Sequence, residues 1–130
     1  MSRAEKRILI VDDEPHQVET VCRGLFLFGY ECRGVTGVDE ALSVLDGGFR
    51  ADLLLTDLTM PEQSGIALIQ AARARFPGLP MLVMTGLVQT EDTAAVAALG
   101  IPLLQKPFDP ETLVRAIEKE LDRARNGGAQ

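Results

Sequence analysis

The chain reads as an α/β domain, with five short strands alternating with five helices and the strands forming one parallel sheet covered on both faces. Three observations predict this. Short apolar runs such as Ile8 to Val11, Leu53 to Leu55 and Met81 to Met84 show no polar alternation, as expected of strands buried on both sides. Each is followed by a longer segment with apolar residues at helical spacing. The connections are short, which favours a parallel sheet built from consecutive βα units. At 130 residues the length suits one domain.

The first strand runs from Ile8 to Val11. A helix then opens between Asp12 and Pro15, with Val18, Val21, Cys22, Leu25 and Phe26 expected inward and Gly29 as terminator. Pro15 suits a first helical turn, where its missing N–H would have no partner. Glu31 to Val35 is a more polar strand, which places it at a sheet edge. The helix Val38 to Asp46 turns Val38, Ala41, Leu42 and Leu45 inward and stops at Gly47-Gly48. The third strand ends at Asp57, and a loop containing Pro61 leads to a helix with Ile66, Ile69, Ala72 and Phe76 on one face. The fourth strand ends at Thr85-Gly86. Thr90 is positioned to cap the next helix, because its hydroxyl can accept from unpaired first-turn N–H groups. That helix is rich in alanine (94, 95, 97 and 98), so it should bury little side-chain area. Ile101 to Gln105 is the fifth strand, and Asp109-Pro110-Glu111 opens a last helix with Leu113, Ile117 and Leu121 inward. The domain is expected to span 1–124. Residues 125–130 have no apolar anchor and should form a flexible tail.

Composition excludes several classes. Hydrophobic residues make up 46% of the chain, too many for a disordered protein. The net charge of −6 argues against a nucleic-acid surface, which needs basic groups to neutralise phosphates. No apolar stretch approaches the roughly 18–20 residues of a membrane helix, and the start lacks the apolar core of a signal peptide. The expectation is a soluble cytoplasmic protein. The two cysteines, Cys22 and Cys32, form no CxxC pair and have no histidine cluster beside them. They read as small hydrophobes, with no zinc site or disulfide framework.

In an open parallel sheet, ligands bind at the carboxyl ends of the strands, where strand order reverses. Asp12 and Asp13 follow the first strand, Asp57 ends the third, Thr85 the fourth, and Lys106 follows the fifth. Each has an ordinary explanation alone: Asp as a helix cap, Thr as a turn residue, Lys as a solvated cation. The ordinary explanations do not account for all five reaching one edge. Packed carboxylates repel, and a hard divalent cation relieves them. A carboxylate can attack phosphorus to give an acyl phosphate, whose oxygens a metal, an ammonium and a hydroxyl would neutralise.

Asp12-Asp13-Glu14, Asp57-Leu58-Thr59-Met60-Pro61 with Gly65, Thr85-Gly86 and Lys106-Pro107-Phe108 together resemble the ordered motifs of two-component response-regulator receiver domains of the chemotaxis-regulator kind. The resemblance covers almost the whole chain and implies a flavodoxin-like sheet order 2-1-3-4-5. It implies Asp57 as phosphoacceptor, Thr85 as the hydroxyl that moves onto the phosphate, and Lys106 as its pairing cation. It implies Mg2+ (Mn2+ can substitute) held by Asp13, Asp57 and the Thr59 carbonyl, with Asp12 acting through water. It also implies a cis bond before Pro107, and switching on the face formed by the fourth helix, fifth strand and fifth helix. His16 matches a variable first-turn position.

Two departures stand out. Many receivers carry Tyr or Phe three residues before the lysine, where this chain has Leu103, so an aromatic rotamer switch is not available. The positions two past Asp57 and Thr85 are Thr59 and Leu87. Leu87 cannot orient water, which implies slow autodephosphorylation.

Three other readings compete. An aspartate-nucleophile phosphohydrolase would want a second aspartate where Thr59 stands. A flavodoxin-like cofactor carrier would want a phosphate loop where Asp12-Asp13-Glu14 stands. A docking module would not need the complete acid, hydroxyl and ammonium set. The leading reading is a non-enzymatic phosphorelay module that takes its phosphoryl group from a sensor histidine kinase or a histidine phosphotransfer protein. It would act on a downstream protein target or a fused output domain, without nucleic-acid or membrane contacts of its own. A phosphorylation-dependent homodimer is compatible with this reading.

Overall fold

The computed structural model describes residues 6–58, 60, 65–86 and 90–127. The element order is β1 (Arg7–Val11), α1 (Pro15–Leu27), β2 (Glu31–Val35), α2 (Val38–Asp46), β3 (Leu53–Asp57), α3 (Gly65–Arg75), β4 (Met81–Thr85), α4 (Glu91–Ala98), β5 (Leu103–Gln105) and α5 (Pro110–Gly127). The strands form one parallel sheet in the order β2-β1-β3-β4-β5, as the resemblance implies. β1 and β3 lie side by side, with Val11 opposite Thr56, while the chain leaves β1 towards one edge and β3 towards the other. In open α/β sheets such a divergence marks the ligand-binding end, above the carboxyl ends of these strands.

Alternating strand residues divide between two cores. Leu9, Val11, Leu54 and Val83 meet Val38, Ala41 and Leu45 of α2, Leu68, Ile69 and Ala72 of α3, and Val96 of α4. Ile8, Ile10, Leu53, Leu55, Leu82 and Met84 meet Leu25 of α1 and Leu113, Val114 and Ile117 of α5. All five residues of β3 and of β4 are buried, which explains their unalternated sequence. Burying one such aliphatic side chain contributes about 1.5–3 kcal/mol, so these two strands anchor the strand ends that carry Asp57 and Thr85.

Local signals act as read. Gly29 adopts φ 93°, and Tyr30 N–H donates to Leu25 O at 3.0 Å, closing α1. Thr90 Oγ1 accepts from Thr93 N–H at 3.1 Å, and Thr93 Oγ1 accepts in return from Thr90 N–H at 2.8 Å. α4 buries only Thr93 and Val96, in keeping with its alanine content. The exposed residues of β2 lie on a sheet edge.

Three expectations need correction. Phe26 is 73% exposed. At about 100° per residue, Leu25 lies within roughly 20° of Val18 around the helix, whereas Phe26 lies about 80° away. The expected face of α3 holds, with Ile69 and Ala72 in the core and Ile66 and Phe76 packed partly buried against it; Leu68 joins them there. β5 pairs over Leu103–Gln105 alone: Ile101 is buried beside it, and Pro102 has no N–H to give, although its carbonyl accepts from Val83 N–H at 3.1 Å. α5 continues to Gly127, past the expected boundary at residue 124, with Arg125 paired to Asp122 at 3.0 Å; residues 128–130 lie outside the described ones. No helix among the described residues is long and apolar enough to cross a membrane.

Candidate functional site

The ends of β1 and β3 deliver the acids. Asp12 N–H donates to Val35 O at 3.2 Å, continuing the ladder one residue beyond β1. Its Oδ1 accepts from Glu14 N–H at 3.0 Å, which turns the chain into α1. Asp57 is the last residue of β3. Thr56 Oγ1 donates to the Asp57 carbonyl at 2.8 Å, and Leu58 N–H donates to Met84 O at 3.0 Å. Gly65 packs against this turn so closely that a Cβ there would lie 2.5 Å from the Asp57 carbonyl oxygen. Thr85, fully buried, ends the neighbouring strand, and its carbonyl accepts from Lys106 N–H at 2.8 Å. The Lys106–Pro107 bond is cis, as the resemblance implies.

Asp12, Asp13 and Asp57 each offer a carboxylate oxygen, and these oxygens lie within 4.8 Å of one another. Asp12 is 1% and Asp57 7% exposed, while Asp13 is half-buried and opens the cluster to solvent. Lys106 Nζ reaches across the sheet to Asp12 Oδ2 at 3.1 Å and Asp57 Oδ2 at 3.5 Å. Three carboxylates and one ammonium leave a formal charge of −2 (−3 + 1) in a mostly buried site. Hard oxygen donors with one open side suit a hard divalent cation that keeps part of its water shell, so the donor set fits a metal of the magnesium kind.

The structure thus brings Asp12, Asp13, Asp57 and Lys106 into one cluster, with Thr85 on the strand beside Asp57. Thr59 and Leu87 lie outside the described residues. Gln17 escaped the sequence reading: Lys106 Nζ donates to its Oε1 at 2.8 Å, so α1 helps aim the ammonium. Its placement one helical turn past Asp13 was the available signal. Thr56, next to Asp57 in sequence, was also missed. His16 is exposed on the first turn of α1, and Leu103, in the position often aromatic in receivers, is 36% exposed. A Cβ at Gly86 would meet nothing within 4 Å, so the protein's own packing does not demand glycine there.

Comparison with known proteins agrees with this geometry. Residues 8–118 match the response regulator receiver domain. The transcriptional regulatory protein GlrR of Escherichia coli is 30% identical over 125 residues, 95% of this chain and 28% of that protein. The transcriptional regulatory protein ZraR of Salmonella typhimurium is 33% identical over 132 residues, covering 100% of this chain and 30% of that protein. The chain therefore spans under a third of the length of these curated relatives. Among solved structures, a CheY-like receiver domain from Methanospirillum hungatei superposes with a TM-score of 0.86 at 28% identity, covering 94% of this chain and 98% of its own. The chemotaxis protein CheY4 of Vibrio cholerae superposes at 0.82 with 29% identity, covering 88% and 98%. With its sheet order, its acid cluster and a match over residues 8–118, the chain belongs to the response regulator receiver domain family.

Proposed function

We propose that this receiver domain, a regulatory module of phosphorelay signalling, accepts its phosphoryl group on Asp57. The observation that carries the reading is the buried Asp57 carboxylate set between two further acids and the Lys106 ammonium at the crevice. An Asp57 oxygen attacks phosphorus of a phosphohistidine on a kinase or phosphotransfer protein; the P–N bond breaks, and the imidazole leaves as the acyl phosphate forms. Bound Mg2+, held by Asp13, Asp57 and the Thr59 carbonyl with Asp12 through water, would supply positive charge for the phosphoryl oxygens. Lys106 exchanges Asp57 and Asp12 for a phosphate oxygen, guided by Gln17. The Thr85 hydroxyl turns towards the phosphate and carries α4 and β5 with it. Leu103 offers no aromatic switch, and α4, which buries only Thr93 and Val96, has little packing to oppose movement. The output is read from this face by a protein target or a joined output domain, as the names of the longer relatives suggest.

Intact-protein mass after incubation with acetyl phosphate and Mg2+ tests this reading. The expected result is a metal-dependent gain of one phosphate, absent in Asp57→Asn and removed by hydroxylamine. No gain with any small phosphodonor, together with an amide spectrum unmoved by fluoroberyllate, would leave only a receiver-shaped docking module. With Leu87 unable to orient water, the phosphate should persist well beyond seconds; a half-life of seconds in Mg2+ refutes that part.

A further inference from the structure

Cys22 and Cys32 lie ten positions apart in sequence, on α1 and β2, yet the fold brings them together: Cys22 Sγ sits over Gly34, which shares a face of β2 with Cys32, and both cysteines pack against the same core. Gly34 creates the close approach. Without a side chain, it admits α1 so near to β2 that a Cβ at 34 would lie 2.1 Å from Val18 Cγ1 and 3.3 Å from Cys22 Sγ. Both residues are half-buried at the rim of the α1/α5 core. They are distant in sequence from the acid crevice and take no part in the chemistry proposed for it.

We propose that this pair is an oxidisable dithiol, which a hydroperoxide converts into an intramolecular disulfide between α1 and β2. Cys22 is the attacking sulfur. The hydrogen bond from Cys32 pulls the Cys22 thiol below its ordinary range against the opposing effect of burial, while the same contact and burial hold Cys32 protonated. The Cys22 thiolate attacks one peroxide oxygen; the O–O bond breaks, hydroxide leaves and takes up a proton, and Cys22 becomes a sulfenic acid. The Cys32 sulfur then attacks Cys22 Sγ, the S–O bond breaks, and the Cys32 proton leaves with the hydroxyl as water. Two thiols and one peroxide give one disulfide and two waters. The pair supplies two electrons, and a thiol reductant reverses the change.

Arg23 and Arg33 make the test direct, because trypsin separates the two cysteines into the peptides 8–23 and 24–33. The reduced, folded protein is treated with hydrogen peroxide, quenched with N-ethylmaleimide and weighed without reductant. The expected product is a monomer about 2 Da lighter that takes up no alkylating agent, with those two peptides joined and separable by phosphine. Its Tm should rise, since the bond closes a short loop of the unfolded chain. Cys22→Ser and Cys32→Ser should each abolish the lighter species. Products carrying only added oxygen, disulfides joining two chains, or thiols that remain fully alkylatable would each overturn the proposal. The wild-type mass decides the matter even if a variant folds poorly.

Discussion

Replacing Asp57 by Asn should stabilise the metal-free protein, because the crevice gathers like charge faster than Lys106 can offset it. The Asp57 carboxylate faces those of Asp12 and Asp13 at 4.8 Å or less. At an effective dielectric near 20, each repulsion is roughly 3.5 kcal/mol, and the 3.5 Å ion pair to Lys106 returns about 4.7 kcal/mol. Two repulsions less one attraction leave about 2.3 kcal/mol against the ionised residue. Asp13 is half-exposed and Lys106 is a fifth exposed, so solvent reduces the net effect to about 1 kcal/mol. Urea unfolding at low ionic strength with a chelator should therefore show the Asn variant's midpoint higher by about 0.5 M, for a slope of about 2 kcal/mol/M. Adding Mg2+ to ten times its Kd should raise the wild type by about 1.4 kcal/mol and the variant far less, erasing the gap. An Asn variant no more stable than wild type without metal, or equal stabilisation of both by Mg2+, would refute the electrostatic account.

Gly65→Ala should cost about 2 kcal/mol in thermal unfolding and depress acetyl-phosphate labelling, since the atoms nearest its Cβ would be backbone atoms of Asp57 and Leu58, which cannot swing aside. Gly86→Ala, facing open space, is the control expected near wild type in stability. Thr90→Ala removes one half of a reciprocal cap and should lower stability by about 1 kcal/mol, with amide exchange rising first in α4. The Asp109 carboxyl is held below its usual range by hydrogen bonds from Thr112, whose N–H lies 2.8 Å from Oδ1. A depressed pKa gives stability that is present above the unfolded value and lost as pH falls through the folded one. Asp109→Ala should thus be less stable than wild type at neutral pH, and the difference should shrink as pH falls through the folded carboxyl's depressed pKa.

The buried strands were legible because their burial leaves a one-dimensional mark: Leu53-Leu54-Leu55 and Met81 to Met84 contain no polar residue to suggest a wet face. The acid cluster was legible for a related reason, since strand ends in a parallel sheet share one edge and the topology assembles Asp12, Asp57 and Lys106. The errors arose where phase or distance decides. Phe26 and Leu25 are neighbours in sequence, and a fraction of a helical turn separates burial from exposure. Gln17 meets Lys106 across 89 positions, and no local pattern encodes that hydrogen bond. The meeting of Cys22 with Cys32 depends on how closely α1 approaches β2, which Gly34 sets without announcing it in any motif.

Mechanically, Lys106 is a tie rod. It hangs from β5, a three-residue edge strand, and its far end is fastened to Asp12 beyond β1 and to Gln17 on α1. The rod spans the top of the sheet, so its tension is shared by an edge with few other fastenings and by the first turn of a helix on one face. A group in the crevice that draws the ammonium inward slackens both attachments in one movement.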